Sequence, residues 1–581
     1  MVDSSGSSTN GLGSLPARVR KASSGFSILE TEKVKVLAET LESGVLELQN
    51  EGARKLAGTE QTLWTDLRKL WKDLARSQLT FWDNDEDEED EPDVTLSEES
   101  RYVRSLCMAL AKFTRNLVAG VPENQVRAYE NEPEIRRLIH YYTSWSAMED
   151  PESIATARVL TQALSNIVTS NQNLVAALWE TYLGLPEDQV VLIRLLASPD
   201  VRTLLTTLIF ILNCIHGSRR RTKLLAKSTI GARICVALLD DMLRLFEEEE
   251  ESEGGKAFNV GYAIFTRLIE EGTVPDLYKK FTMPDEIITP HQTTLLKLVD
   301  SYLQSIQLDI STTPEVDVLQ THVALGPFLA KRFFTLSNYA QAAMQRAIGS
   351  SIPPSSPPKT TQPGGAFSNG EASTSSDSHE PPAELDVMLP KVCEALVLAT
   401  QCVTTVALEA EEHHAKLLQF HAGGGEDIPN MKDFFIDVRY SSQGLVENLI
   451  ETLRLLDLFL PRIYFGKPVP SPAAPNQQLP NVDPTGFLYV KRDLVRLLGV
   501  LAHECRAVQD RTRKAGGIPV VMNLCVIDER NPFLREHALF TLHNLLKNNK
   551  DNQAVVDAIK PEAEFDEAGV LKDKFSAMKV K

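Results

Sequence analysis

One helical unit written twice constrains this chain more than any other feature. Leu494, Leu497, Leu498 and Leu501 set an apolar stripe at i, i+3, i+4 and i+7, and a polar turn follows, ending at Asp510. A shift of 41 residues carries Leu501 onto Leu542, His503 onto Asn544, Arg506 onto Lys547 and Asp510 onto Asp551. A unit of that length cannot close a core alone, so it must stack on neighbours. Function is then sought on a surface rather than in a pocket.

The turn chemistry predicts three helices in the unit. Gly516 suits a left-handed exit from one helix, because it lacks the Cβ that penalises that conformation. Pro519 suits the first turn of the next, whose stripe is Val520, Val521, Leu524 and Cys525. Asn531 before Pro532 reads as a third start, with the Asn side chain capping a free backbone N–H and the proline supplying its fixed φ. That helix buries Leu534, Ala538, Leu542 and Leu545. Three helices at a period near 40 favour an armadillo repeat over a two-helix HEAT repeat.

Within this unit stand Gly517-Ile518-Pro519, Asn523, Cys525, Ile527-Asp528-Glu529, Asn531-Pro532-Phe533-Leu534-Arg535-Glu536, Asn544-Leu545 and Asn552-Gln553. Over about 75 residues this run closely resembles the C-terminal domain of the ataxin-10 family, fungal type, and the rest of the chain resembles it only weakly. Two positions depart from the family pattern: His503 stands where Asn is usual, and His537 where Trp is more frequent. Neither interrupts the helical stripe. The resemblance implies an armadillo-like protein of the cytoplasm, with a role in cytokinesis, cell division and the cell cycle.

Weaker copies of the unit occur earlier. Asn116-Leu117 precedes Asn124-Gln125 with the eight-residue step that separates Asn544 from Asn552; Asn166-Ile167-Val168 leads to Asn171-Gln172, and Leu212-Asn213-Cys214 closes another apolar helix. In armadillo proteins an Asn on the third helix of successive repeats faces the groove and bonds an extended ligand. By that resemblance Asn116, Asn166, Asn213 and Asn544 are candidates for a protein-binding groove. The alternative is that each bonds a neighbouring repeat and holds the stack.

A chain of 581 residues exceeds one compact core, so several domains or a solenoid are expected. With no sustained period-two alternation, the fold class is all-α, an armadillo-like α-solenoid with a Ser/Pro-rich disordered linker. The expected organisation is a tail (1–25), a helical array (26–348) with acidic loops near 83–96 and 247–256, a disordered linker (349–383), a continuing helical segment (384–465), a Pro-rich loop (466–486), the ataxin-10-like repeat domain (487–562) and a tail (563–581). The linker composition buries too little apolar area to offset ordering. Such a linker would let the two arrays engage partners jointly. Ser356-Pro357 and Ser471-Pro472 are minimal sites for a proline-directed kinase.

A net charge of −19 is poorly suited to displacing counterions from phosphates, so no nucleic-acid partner is expected. The compact basic cluster Arg219-Arg220-Arg221 with Lys223 reads as a solvated helix end able to attract an acidic partner. Seven cysteines, odd in number and without a CxxC pair, read as reduced core residues in a cytosolic setting. The most apolar window, Val392 to Ala410, is interrupted by Glu394 and Gln401, so no membrane insertion is expected.

Catalytic patterns are missing: no GxSxG elbow, HExxH helix, Walker loop or kinase set. Gly254-Gly255-Lys256 lacks the spacing of a phosphate loop, and His421-Ala422-Gly423-Gly424-Gly425 lacks a nucleophile to serve. His414 and His421 share a helix face but stand about 10 Å apart along the axis, too far for one metal ion. No enzyme, cofactor or metal site is expected. Two function classes remain: a scaffold binding other proteins, and a transport adaptor, importin-like or copper-linked. An importin-like groove needs Trp beside Asn, yet Trp64, Trp71 and Trp82 cluster ahead of the repeats, and copper handling needs MxxM or CxxC spacing.

Overall fold

Turn residues punctuate the structure as they punctuate the sequence. The computed structural model describes residues 14–79, 94–308, 315–350, 386–420, 429–469, 484–559, 563–565 and 571–573. The fold is all-α and armadillo-like, and it divides into two units, residues 1–281 and 282–581.

The first unit is written in triplets. After α1 (Leu15–Ser23) come α2 (Thr31–Glu47), α3 (Glu51–Thr59) and α4 (Gln61–Leu79), then α5 (Val94–Val118), α6 (Pro122–Tyr129) and α7 (Glu132–Tyr142). The next triplets are α8 (Pro151–Val168), α9 (Gln172–Gly184) and α10 (Val191–Leu196), and α11 (Val201–Ile215), α12 (Arg219–Lys227) and α13 (Thr229–Leu245). The unit ends on α14 (Glu253–Glu270) and α15 (Val274–Lys280). The first helices of successive triplets pack in one column, α2 on α5, α8, α11 and α14; the third helices pack in another, α4 on α7, α10 and α13. This is the solenoid logic: each triplet has its apolar sides covered by the next.

Local chemistry fixes these boundaries. Asp150 accepts hydrogen bonds from the backbone N–H groups of Glu152 and Ser153, and Asp200 from that of Thr203, each satisfying orphan donors at the start of a long helix. Two residues past each long helix stands a left-handed residue: Gly120 (φ 71°), Ser170 (64°), Gly217 (64°) and Gly272 (66°). The reversal sends the chain into the short second helix.

In the second unit α16 (Pro290–Leu308) and α17 (Glu315–Ser350) precede α18 (Leu389–Phe420), α19 (Met431–Asp437) and α20 (Leu445–Phe459), then α21 (Val490–Ala502), α22 (Arg506–Lys514) and α23 (Gly517–Asn523), and last α24 (Leu534–Leu546) and α25 (Lys550–Ala558). Here α16, α18, α21 and α24 form one column and α17, α20 and α23 another. Among the described residues two two-stranded antiparallel hairpins interrupt the helices, β1 (Arg439–Tyr440) with β2 (Gln443–Gly444) and β3 (Arg462–Tyr464) with β4 (Lys467–Val469), and a third antiparallel pair, β5 (Ala563–Phe565) with β6 (Leu571–Asp573), follows α25. Leu389–His414 of α18 is long and apolar enough to cross a bilayer, and 67% of that window is buried inside the fold. Packing against α16, α17 and α21 accounts for its composition.

Several expectations are corrected. The repeat steps by 44 residues, from Val490 to Leu534, not 41, so Asn544 lines up with Val500 rather than His503. A helical stripe looks alike after a shift of three or four residues, so the stripe alone leaves one turn of ambiguity. The left-handed residues resolve it: Tyr489 (φ 65°) and Phe533 (64°) precede the two helices, and Glu504 (52°) and Asn548 (57°) follow them. Gly516 is left-handed as expected (φ 69°), but Asn531 caps no helix; its Nδ2 donates to Asp528 Oδ2 at 2.9 Å. The N-terminal tail contains α1, whose Leu15 and Val19 are buried. The units divide after Phe281, whereas the sequence placed its boundary at 349–383. That stretch, the 83–91 acidic run, Ser356, Ser471 and His421 to Gly425 lie outside the described residues.

One buried acid gives the first unit a pH signature. Asp241 on α13 is 7% exposed; its Oδ1 accepts from Arg244 at 2.9 Å while its Oδ2 has no partner. Burial raises its carboxyl pKa to about 7, against the opposing pull of Arg244. Below the unfolded value near 3.8 both states hold the proton, so the group is neutral to stability. Between that value and about 7 only the unfolded state ionises, so stability falls as pH rises, and above it the loss is complete. Asp241→Asn is expected to raise stability by about 1–2 kcal/mol at pH 8, with the gain gone near pH 4. Thermal unfolding at the two pH values measures it.

Candidate functional site

The four Asn candidates occupy one structural position, two residues before the end of a long helix: Asn116 in α5, Asn166 in α8, Asn213 in α11 and Asn544 in α24. Helix C-termini leave their last four carbonyls without intrahelical partners. Asn116 Nδ2 donates to Val45 O at 3.0 Å, Asn166 to Arg115 O at 3.1 Å and Asn544 to Gly499 O at 3.0 Å, each on the preceding long helix; Asn213 reaches Thr169 Oγ1 at 3.5 Å. Their amide donors are thus turned into the stack. Asn544 is 2% exposed, whereas the other three are half-buried along the α5, α8 and α11 column.

A second set of amides repeats bond for bond in both units. Asn124 Nδ2 donates to Leu117 O (2.8 Å) and Arg54 O (3.0 Å); Asn552 Nδ2 donates to Leu545 O (2.8 Å) and Gln509 O (3.2 Å). Gln125 Nε2 donates forward to Asn166 O and Thr169 O, as Gln509 Nε2 does to Asn544 O and Lys547 O. Asn171 and Asn549, each starting the following helix, donate to Gln125 and Gln509 in turn. The eight-residue Asn step in the sequence is the imprint of this wiring. Arginines add a parallel ladder: Arg104 bonds Asp150 at 2.6 Å and Arg158 bonds Asp200 at 2.9 Å, each tying a long helix to the N-cap of the next.

The family-like run around Asp528 does something different. Lys491 on α21 is 1% exposed, and its Nζ donates to Leu460 O at 2.7 Å with Asp457 at 3.5 Å. Burial holds its ammonium below the usual range, although Asp457 and Asp528 favour the charge. Arg530 donates to Pro461 O at 3.0 Å, Ile463 N–H donates to Asp528 Oδ1 at 3.0 Å, and Glu529 N–H donates to Ile463 O at 2.9 Å. The Glu529 carboxylate receives the N–H groups of Phe465 (2.7 Å) and Gly466 (3.0 Å). Together these groups grip residues 460–466 and hold the β3–β4 turn. Phe465 (φ 50°) and Gly466 (68°) are both left-handed, as a two-residue type I′ turn requires. At its tip Phe465 is 79% exposed and its ring lies 4.4 Å from that of Tyr464, while Ile527 beside the clamp is also exposed.

Sequence reasoning placed a helical segment and a Pro-rich loop here and missed the hairpin. The available signal was the Gly466 turn between Tyr464 and Lys467, flanked by Ile463 and Val469.

Other candidates resolve as follows. His503 Nδ1 lies 2.5 Å from Glu411 Oε1, and Lys432 binds the other oxygen at 3.0 Å. Burial opposes the Glu411 charge, but these two hydrogen bonds outweigh it and hold the carboxyl below its ordinary range. The basic cluster splits: Arg221 is buried and donates to Cys214 O and His216 O, whereas Arg219 and Arg220 pair with Glu271 and Glu180. Trp64, Trp71 and Trp179 are buried core residues rather than exposed groove side chains. Five cysteines are buried, and burial pushes the Cys107 thiol up to about 12. Gly254 and Gly255 sit in the first turn of α14, packed on the Glu248 to Glu250 turn. Among the described residues no three His, Cys, Asp or Glu side chains converge.

Comparison with known proteins falls on the clamped domain. Residues 490–581 match the family model described as the Spinocerebellar ataxia type 10 protein domain. The Ataxin-10 homolog of Dictyostelium discoideum is 37% identical over 70 residues, 12% of this chain and 12% of that protein. That of Candida glabrata is 38% identical over 72 residues, 12% and 14% of the two, and Ataxin-10 of Xenopus tropicalis 34% identical over 70 residues, 12% and 14%. The match therefore spans about one-eighth of those relatives' lengths. Among solved structures SYS-1 superposes at a TM-score of 0.34 with 10% identity, covering 92% of this chain and 100% of that one. Uso1-2 does so at 0.27 with 12% identity, covering 96% and 94%. Residues 490–581 thus carry the domain that this family model describes, and over that domain the chain is similar to the ataxin-10 proteins.

Proposed function

We propose that the chain is a non-enzymatic protein-interaction scaffold, acting in the cytoplasm in cytokinesis and cell division, and that the Tyr464–Phe465 tip is one of its docking points. One observation carries the reading. Buried charges and a carboxylate bound to two backbone N–H groups are spent on holding a short hairpin whose tip exposes two aromatic rings. Exposed aromatics on a rigid support are the side chains that anchor protein interfaces, since they carry large contact area at little cost in side-chain entropy. Helical stacks leave long side faces available for further partners. The division role rests on the similarity of residues 490–581 to the ataxin-10 domain and is the finer part of the proposal.

Affinity purification of the full chain from dividing cells, compared with Tyr464→Ser/Phe465→Ser, tests both parts. Partner recovery is expected to fall at least tenfold in the variant, with thermal unfolding unchanged because both rings are exposed. Septum or spindle-pole proteins in the wild-type sample support the division role; nuclear cargo in their place supports the adaptor class. Equal recovery by the two proteins removes the hairpin from the reading.

A further inference from the structure

The first unit carries a cleft of about 740 Å³ between α4, α7 and the connection from α9 to α10. That volume is in the range of clefts that enclose ligands, which run to roughly 1,000 Å³. Its apolar lining comes from the half-buried Leu185 over the buried Ala75 and Leu138, and its charge from Arg136 and Arg137 on α7 and Arg194 on α10, with His140 beside them. Arg136 is neutralised by Glu132 at 2.9 Å. Among the described residues neither Arg137 nor Arg194 pairs with a carboxylate. His140 Nε2 donates to Asp188 O at 3.1 Å, which fixes its ring, and burial together with Arg194 lowers its pKa.

In a chain with net charge −19, two cleft arginines that form no ion pair among the described residues are a local concentration of positive charge. At the cleft's edge Ser144 leads to Trp145, which is 89% exposed in the turn after α7. Tryptophan and arginine together are the residues most enriched at interface hot spots.

We propose that this cleft docks an acidic peptide segment of a partner protein, its carboxylates on Arg137 and Arg194, an apolar side chain on Leu185, and its flank against Trp145. Guanidinium groups suit carboxylates because they present paired N–H donors in a plane. A nucleic acid offers the same charge, but the chain's overall negative field repels a long polyanion, and the apolar floor has no use for a sugar–phosphate backbone. The proposal deepens the scaffold reading and rests on it, while using a surface separate from the hairpin.

The test is fluorescence anisotropy on the full-length protein with three labelled probes: a 14-residue peptide with one Phe, one Leu and six Glu; its Gln counterpart; and a single-stranded oligonucleotide of equal charge. The Glu peptide is expected to bind, with affinity falling at least tenfold for Arg137→Glu/Arg194→Glu and at least threefold for Trp145→Ala, and weakening with salt. Arg137 and Trp145 are exposed and Arg194 is half-buried, and circular dichroism on the variants checks that the fold persists. Equal binding of the Glu and Gln peptides overturns the proposal, as does undiminished binding by the double variant or preference for the oligonucleotide. If the peptide fails while hairpin-dependent partner capture survives, only this inference falls. If capture fails and the peptide binds, the hairpin reading falls alone.

Discussion

Replacing Asn552 by leucine is expected to destabilise the C-terminal repeat by about 2–5 kcal/mol, because it leaves two buried carbonyls without donors at about 1–3 kcal/mol each. The amide donates to Leu545 O and Gln509 O, and its Oδ1 accepts from Arg513 at 2.8 Å, so no solvent path compensates. Leucine keeps the branch point and the number of side-chain heavy atoms and is the larger residue, which removes a cavity as the cause. Asn124→Leu breaks the equivalent pair, to Leu117 O and Arg54 O, in the first unit. It is expected to cost a similar amount there, with additive effects in the double variant because the residues lie in separate units. A chain of two compact units need not unfold in a single transition, so native-state hydrogen exchange is the appropriate readout. Protection should fall in α24 and α25 for Asn552→Leu, and in α5 and α6 for Asn124→Leu. The exposed Asn259→Leu on α14 should shift exchange by less than about 0.5 kcal/mol. A cost below that level at Asn552 or Asn124 would mean that the shared wiring does not hold the stack.

This wiring marks the limit of what the sequence discloses. Helical stripes and the eight-residue Asn step are local, so the all-α class and the position of the ladder were legible from one strand of text. Where an amide points is not local. Asn544 reaches Gly499 and Gln509 reaches Lys547 only once two repeats have stacked, and no spacing rule reports a bond between layers. The register failed for a related reason: left-handed turns settle it, and while Gly120, Gly217 and Gly272 announce theirs, Ser170, Glu504 and Asn548 do not. Asn531 illustrates the competition that misleads a cap assignment. Its amide serves the buried Asp528 three residues earlier rather than a helix end, a local competition of the kind Asn side chains enter, and the helix starts later, at Leu534. The β3–β4 hairpin was hidden because its strands are three residues long, too short for alternation to register, and because its stability comes from Glu529 and Asp528, more than 60 residues away.

That clamp supplies the largest expected effect. Asp528 is the acidic centre of a buried group containing Lys491 and Arg530; Ile463 and Arg530 backbone N–H groups donate to its Oδ1 and Asn531 Nδ2 to its Oδ2. Removing one partner from a buried charge group leaves the rest uncompensated, at about 3–5 kcal/mol. Asp528→Asn is therefore expected to lose about that much stability in the second unit and to turn an NH2 group toward donors it once accepted from. Proteolysis should then cut at the freed Tyr464–Phe465 turn, and partner recovery should fall as in the Phe465 variant, although both rings are intact. Lys491→Met in the Asp528→Asn background separates charge from hydrogen bonding. If the stranded ammonium is the source of the loss, the double variant regains about 1–2 kcal/mol over Asp528→Asn, since Asp457 at 3.5 Å alone balances the lysine poorly. If the two changes merely add, Asp528 acts through its hydrogen bonds, and the exposed rings are then held by backbone geometry rather than by a buried field.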